Sequence, residues 1–206
     1  MSQTELSKPR PSRTQRIVST ASLAAYVVAG AAAVGLVTIG LFFWIDQPWG
    51  TINDLSLLVM TLAIAPLMLA FYELGGWTPT PLAQAAQASG WIAVVAWCVV
   101  QGLMILGVVT FAYNAGARGA FAVEVAAQIV IGLWIAGANL LAGAWLNRVR
   151  WLGVATGIGF VVLAIGLLLG GQNYPLTYVG GIGYEIILPI WAFLMARRLG
   201  RRARAE

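Results

Sequence analysis

The chain has 206 residues, 60% of them hydrophobic and only 9% charged, with a formal net charge of +5 and a mean hydropathy of +0.85. An ordinary soluble domain carries roughly 25% charged residues, so this composition excludes a water-soluble fold. The apolar residues fall in runs long enough for a helix to cross a bilayer, which takes about 20 residues, and the short alternating segments of a β-barrel are missing. The expected fold class is all-α, a polytopic membrane protein with six transmembrane helices in one bundle.

Residues 1–16 are polar and hold Lys8, Pro9, Arg10, Pro11, Arg13 and Arg16, which reads as a disordered cytoplasmic tail. The apolar run that follows is too long for a signal-peptide core, which spans about 7–15 residues, so it is expected to be an uncleaved first span over residues 17–45. Its small-residue spacings, Ala29 with Ala33 and Ala31 with Gly35, permit close helix packing. A turn through Asp46, Gln47, Pro48, Trp49 and Gly50 leads to the second span over 52–74, with Thr51 as the expected cap and Asp54 in the first turn. Pro66 predicts a kink there, and Glu73 a solvated end.

Thr80 followed by Pro81 is a helix-start signal. It predicts a short interfacial helix over Pro81 to Ser89 that stops at Gly90, before a third span over 91–113. Within that span Cys98 reads as a packing residue, and Gln101 as an amide that hydrogen-bonds to a neighbouring helix. The fourth span, over 120–146, carries Glu124, Gln128 and Asn139. At about 100° per residue these three lie within roughly 60° of one another, with Ile131, Gly132 and Ile135 in the same stripe. A stripe with a carboxylate and two amides is expected to face the bundle or a wet cavity.

A basic turn, Asn147-Arg148-Val149-Arg150, leads to the fifth span over 151–171, where Gly153 with Gly157 and Gly166 with Gly170 repeat the close-packing spacing. The polar segment Gln172-Asn173-Tyr174-Pro175 then opens the sixth span over 178–198, whose first turns hold Gly180, Gly181 and Gly183 ahead of Glu185. Glycines there let a ligand or a neighbouring helix approach the backbone. Residues 199–206 form a basic cytoplasmic tail.

Alternating the six spans puts eleven of the twelve basic residues on one side and leaves Arg118 alone on the other. The basic side is expected to be cytoplasmic, with both termini inside. The positive charge is therefore directed at lipid headgroups, and the expected partners are the lipid bilayer, a larger membrane complex or a second copy, with no nucleic acid. Phe42, Phe43, Trp44 and Trp49 are expected at the outer interface, and Trp77, Trp91, Trp145 and Trp151 at the inner one.

Gly132-Leu133-Trp134, the stretch from Leu146 to Gly153 and Gly157-Ile158-Gly159-Phe160 resemble a pattern in uncharacterised bacterial six-span integral membrane proteins, in which a helix ends in a short basic turn before a glycine-rich fifth span. The turn here lacks the proline usual in that pattern. The resemblance implies a bacterial cytoplasmic (inner) membrane location and six spans, and it carries no activity.

The chain has no histidine, one cysteine and no lysine inside a span. Imidazole metal ligands, cysteine-rich metal sites and a retinal Schiff base are therefore excluded, and neither cofactor nor metal is expected. No catalytic motif points to an enzyme. The leading function class is a non-enzymatic accessory, scaffolding or regulatory membrane component. The alternative is a small proton-linked carrier or ligand-binding protein whose outer-leaflet polar cavity surrounds Glu124 and Glu185, with Arg118, Gln128, Asn139, Gln172 and Asn173 as site residues and Asn114 close by. A competing view of the same residues makes Arg118 a structural ion-pair partner of one acid while the other reaches headgroup water. A membrane enzyme stands third.

Overall fold

The computed structural model describes residues 11–45, 48–75, 80–109 and 119–205. Arg118 and Asn114 fall outside these, as do Lys8, Arg10, Asp46, Gln47 and Trp77. The described chain is helical throughout: α1 (Arg13–Ile45), α2 (Trp49–Leu74), α3 (Pro81–Ile105), α4 (Gly119–Leu141), α5 (Val149–Gly170), α6 (Pro175–Gly181) and α7 (Leu188–Ala205). A π-helical turn, Ile182–Ile187, joins α6 to α7, so the last three elements form one continuous sixth span, Pro175–Ala205. Among the described residues, six helices are long and apolar enough to cross a membrane.

Two local expectations differ from what forms. The second helix begins at Trp49, with Pro48 at its cap position and no side-chain cap bond, so Thr51 lies inside the helix rather than capping it. Thr80 does cap the next helix, accepting from the Ala83 backbone N–H at 3.2 Å with Pro81 in the first turn, but α3 runs unbroken through Gly90 to Ile105. Gly90 does not stop the helix because an isolated glycine costs only about 1 kcal/mol there. It also has a packing role: a β-carbon at that position would stand 2.3 Å from Met68 Cε and 3.0 Å from the Trp134 ring.

The helices form a closed ring in chain order, α1 against α2, α2 against α3, and so on to α7, which returns to α1. The start of α1 meets the end of α7, since the Gln15 side chain donates to the Ala203 carbonyl at 2.9 Å and Ser22 donates to the Ala196 carbonyl at 2.9 Å. Every described arginine lies at this end of the bundle.

The core is aromatic in its lower half. The Phe71 ring touches Trp134 at 5.8 Å, Trp145 at 5.7 Å and Trp191 at 6.5 Å between centroids. The Trp145 ring packs inward against Phe71, and its carbonyl accepts a hydrogen bond from Arg198. Trp151 is exposed, with the Arg150 guanidinium 4.8 Å above its ring, and Trp44 is exposed at the opposite end.

The fifth helix is packed at backbone distance on two sides. A β-carbon on Gly157 would stand 2.4 Å from the Gly132 carbonyl oxygen of α4, and one on Gly153 would stand 2.1 Å from the Asn139 side chain. On the other side, Gly159 meets Gly183 and Gly166 meets Thr177 of the sixth span. In the absence of a hydrophobic drive between helices in lipid, such close approach is a main source of helix–helix attraction. The small-residue spacings of α5 therefore serve packing within the bundle.

Candidate functional site

A cavity of about 520 Å³, lined by residues of all six long helices, opens at the end of the bundle opposite the start of α1 and the end of α7. Glu124 and Gln128 from α4, Gln172 and Asn173 from the turn after α5, and Glu185 from the π-helical turn all line it. Five of the seven expected site residues thus share one space. Its walls are otherwise aromatic and aliphatic, including Trp97, Phe121, Leu163, Leu167, Tyr178 and Tyr184.

Each carboxylate is placed by a distinct local device. Glu124 sits one turn into α4, where its Oε1 accepts a 3.0 Å hydrogen bond from Gln101 Nε2 of α3. This is the interhelical bond expected of Gln101, which is itself buried. The indole Nε1 of Trp97, which lines the same cavity, is buried and has no hydrogen-bond partner among the described residues. Glu185 lies two residues after Gly183, whose close approach to Gly159 holds that turn against α5. π-Helical turns inside helices recur at functional positions.

The glycines that precede Glu185 divide between the two roles the sequence allowed. Gly180 and Gly183 admit a neighbouring helix, since β-carbons there would stand 2.1 Å from Leu163 N and 2.6 Å from Gly159 Cα. A β-carbon on Gly181 would meet nothing within 4 Å, and this glycine lines the cavity instead.

Asn139 belongs elsewhere. It shares the inward stripe of α4 with Glu124, Gln128, Ile131 and Ile135, yet eleven residues beyond Gln128 it has descended about 16 Å into the lower half of the bundle. It is fully buried there, accepting from Trp191 Nε1 at 3.1 Å and donating to the Ile135 carbonyl at 2.8 Å. Its amide is satisfied by the core and does not line the cavity.

Two features escaped sequence reasoning. Asn53 of α2 lines the cavity, and Asp54 follows it on the same helix. The signal was available, because both stand at the first turns of α2, at the same end of the bundle as the start of α4. The aromatic contribution of Trp97 and Tyr184 was hidden for a different reason: a ring within an apolar run carries no mark of which helix face it occupies. Among the described residues, no basic side chain lines the cavity.

The arrangement can hold a polar or positively charged group between two acids while apolar walls cover the rest of the molecule. Compared with protein-family models, curated proteins and solved structures, the chain matches none.

Proposed function

We propose that this chain is a multi-pass protein of the bacterial cytoplasmic membrane, with both termini in the cytoplasm, that binds a small amphiphilic cation in the cavity and exchanges it for protons. The observation that carries this reading is that Glu124 and Glu185, from different spans, line one cavity. Carboxylates withdrawn from water need a countercharge. Protonation supplies it in one state and a bound cation in the other. The rings of Trp97, Tyr178 and Tyr184 suit the same ligand, because a cation over an aromatic face gains about 0.5–2 kcal/mol. The amides of Gln128, Gln172 and Asn173 would order polar substituents. The clustering of the described arginines at one end of the bundle supports a cytoplasmic placement of the termini, since basic flanks tend to stay cytoplasmic.

The shared cavity is the reason this reading is placed above an accessory, scaffolding or regulatory role. Ethidium, a permanent cation with apolar rings, is a suitable probe. Purified protein should bind it saturably in detergent, and proteoliposomes should accumulate it against an imposed pH gradient. Glu124→Gln and Glu185→Gln should each weaken binding about tenfold, the loss of one charge-assisted contact. Binding and flux unchanged in both variants would overturn the proposal.

A further inference from the structure

Along the seam between α1 and α7, at the end that carries the termini, two grooves run end to end and share Tyr26. The first, of about 600 Å³, is lined by Arg16 of α1 and by Arg197, Arg201 and Arg204 of α7. The second, of about 520 Å³, is apolar and runs on past Gly30, Pro189, Phe193 and Leu194. We propose that this seam binds one anionic phospholipid, its phosphate among the four arginines and an acyl chain in the apolar groove.

Charge selects the headgroup. Among the described residues none of these four arginines pairs with a carboxylate, while Arg13, just outside the groove, is held by Glu73 at 3.2 Å. Arg16 and Arg204 each spend one N–H on a backbone carbonyl, of Pro11 and Gly200, and keep the remaining guanidinium donors. Planar guanidinium groups suit a phosphate because they can donate two parallel bonds.

Geometry selects a lipid over a free phosphate. Arg16 and Gly30 are fourteen residues apart on one helix, a rise of about 21 Å. That distance covers the headgroup layer and most of one leaflet's hydrocarbon depth, about 15 Å. The change from basic to apolar lining occurs where Tyr26 meets Phe193, whose ring also lies 5.9 Å beneath the Arg197 guanidinium. The floor is fixed, because the Gln15–Ala203 and Ser22–Ala196 hydrogen bonds tie the two helices together beneath the groove. The seam shares no residue with the acidic cavity at the other end of the bundle.

The test uses the full chain in phosphatidylcholine nanodiscs doped with phosphatidylglycerol spin-labelled on its acyl chain. A saturable immobilised component is expected for phosphatidylglycerol and not for an equally labelled phosphatidylcholine. Each arginine near a membrane surface is worth on the order of fivefold in affinity for anionic lipid, so Arg197→Gln with Arg201→Gln should reduce the preference by more than tenfold. Gly30→Leu, at a position with nothing within 4 Å of an added β-carbon, should displace the chain and free the label without changing the charge. Excess soluble glycerol phosphate should not compete. The proposal is overturned if the wild type shows no preference, if the preference survives both sets of substitutions, or if glycerol phosphate displaces the lipid. It is equally overturned if Arg148→Gln, outside the groove at the same end of the bundle, lowers the preference as much. Gel filtration of each variant establishes that it is folded.

Discussion

Gly159 of α5 and Gly183 of the sixth span face each other with no room for a side chain: a β-carbon on the first would stand 2.5 Å from the Cα of the second, and one on the second 2.6 Å from the Cα of the first. Both obstacles are backbone, so neither can rotate away. Gly159→Ala or Gly183→Ala should therefore destabilise the bundle by about 1–3 kcal/mol, the usual cost of overpacking. Gly137→Ala, on an open face of α4, should instead be neutral or gain up to about 1 kcal/mol from helix propensity. Thermal unfolding in detergent measures both. A wild-type midpoint for Gly159→Ala would contradict the close packing.

Asn139 and Trp191 form a hydrogen bond of 3.1 Å in a fully buried setting. Asn139→Ala should cost about 1–3 kcal/mol, because the Trp191 indole N–H is left without an acceptor. Ethidium affinity should stay within twofold of the wild type, since Asn139 stands outside the cavity. A tenfold loss of affinity in a stable Asn139→Ala protein would return this residue to the site.

The Gln101–Glu124 bond should couple α3 to α4. A double-mutant cycle over Gln101→Leu and Glu124→Leu is expected to give an interaction energy of about 1–3 kcal/mol, in the range for a hydrogen bond to a carboxyl group at a half-buried position. Additive losses in detergent unfolding would show that the two side chains do not act together.

The Arg13–Glu73 pair is a useful contrast. Arg13 is 85% exposed, so the 3.2 Å contact is open to water and salt. Arg13→Gln should change stability by less than about 1 kcal/mol, with the difference shrinking further at high ionic strength. A larger loss would mean that this end of α1 is held by charge rather than by its packing on α2 and α7.

The orientation is accessible to labelling. In a Cys98→Ala background, Asn173→Cys should react with a membrane-impermeant maleimide added outside intact cells, and Ala205→Cys only after lysis. The reverse pattern would invert the proposed topology and move the acidic cavity to the cytoplasmic face.

Much of this architecture could be read from the chain because the bilayer imposes a length and a polarity on each helix. The six long apolar helices, and the meeting of the start of α1 with the end of α7, follow from that constraint alone. The inward stripe of α4 was legible for a related reason, as its polar residues stand out against lipid-compatible neighbours. What the pattern could not reveal was depth along the stripe: Glu124 and Asn139 share an angle but differ by about 22 Å of rise, so one meets a cavity and the other a tryptophan. The loop before α3 misled in the opposite way. Thr80 and Pro81 start a helix as their chemistry requires, but Gly90 marks where Met68 and Trp134 come close, and a single sequence does not distinguish a glycine that ends a helix from one that makes space.

The π-helical turn Ile182–Ile187 has a consequence for how the sixth span can vary. An i→i+5 turn accommodates about one residue more than an α-turn of the same height, and one residue is worth about 100° of rotation. The turn thus works as a phase adjuster between two halves that are each locked, Gly180 and Gly183 against α5 on one side and Trp191 against Asn139 on the other. Removing a single residue from it would restore an ordinary helix but leave the halves out of step, so that Glu185 could point at the cavity or Trp191 at the core, but not both together.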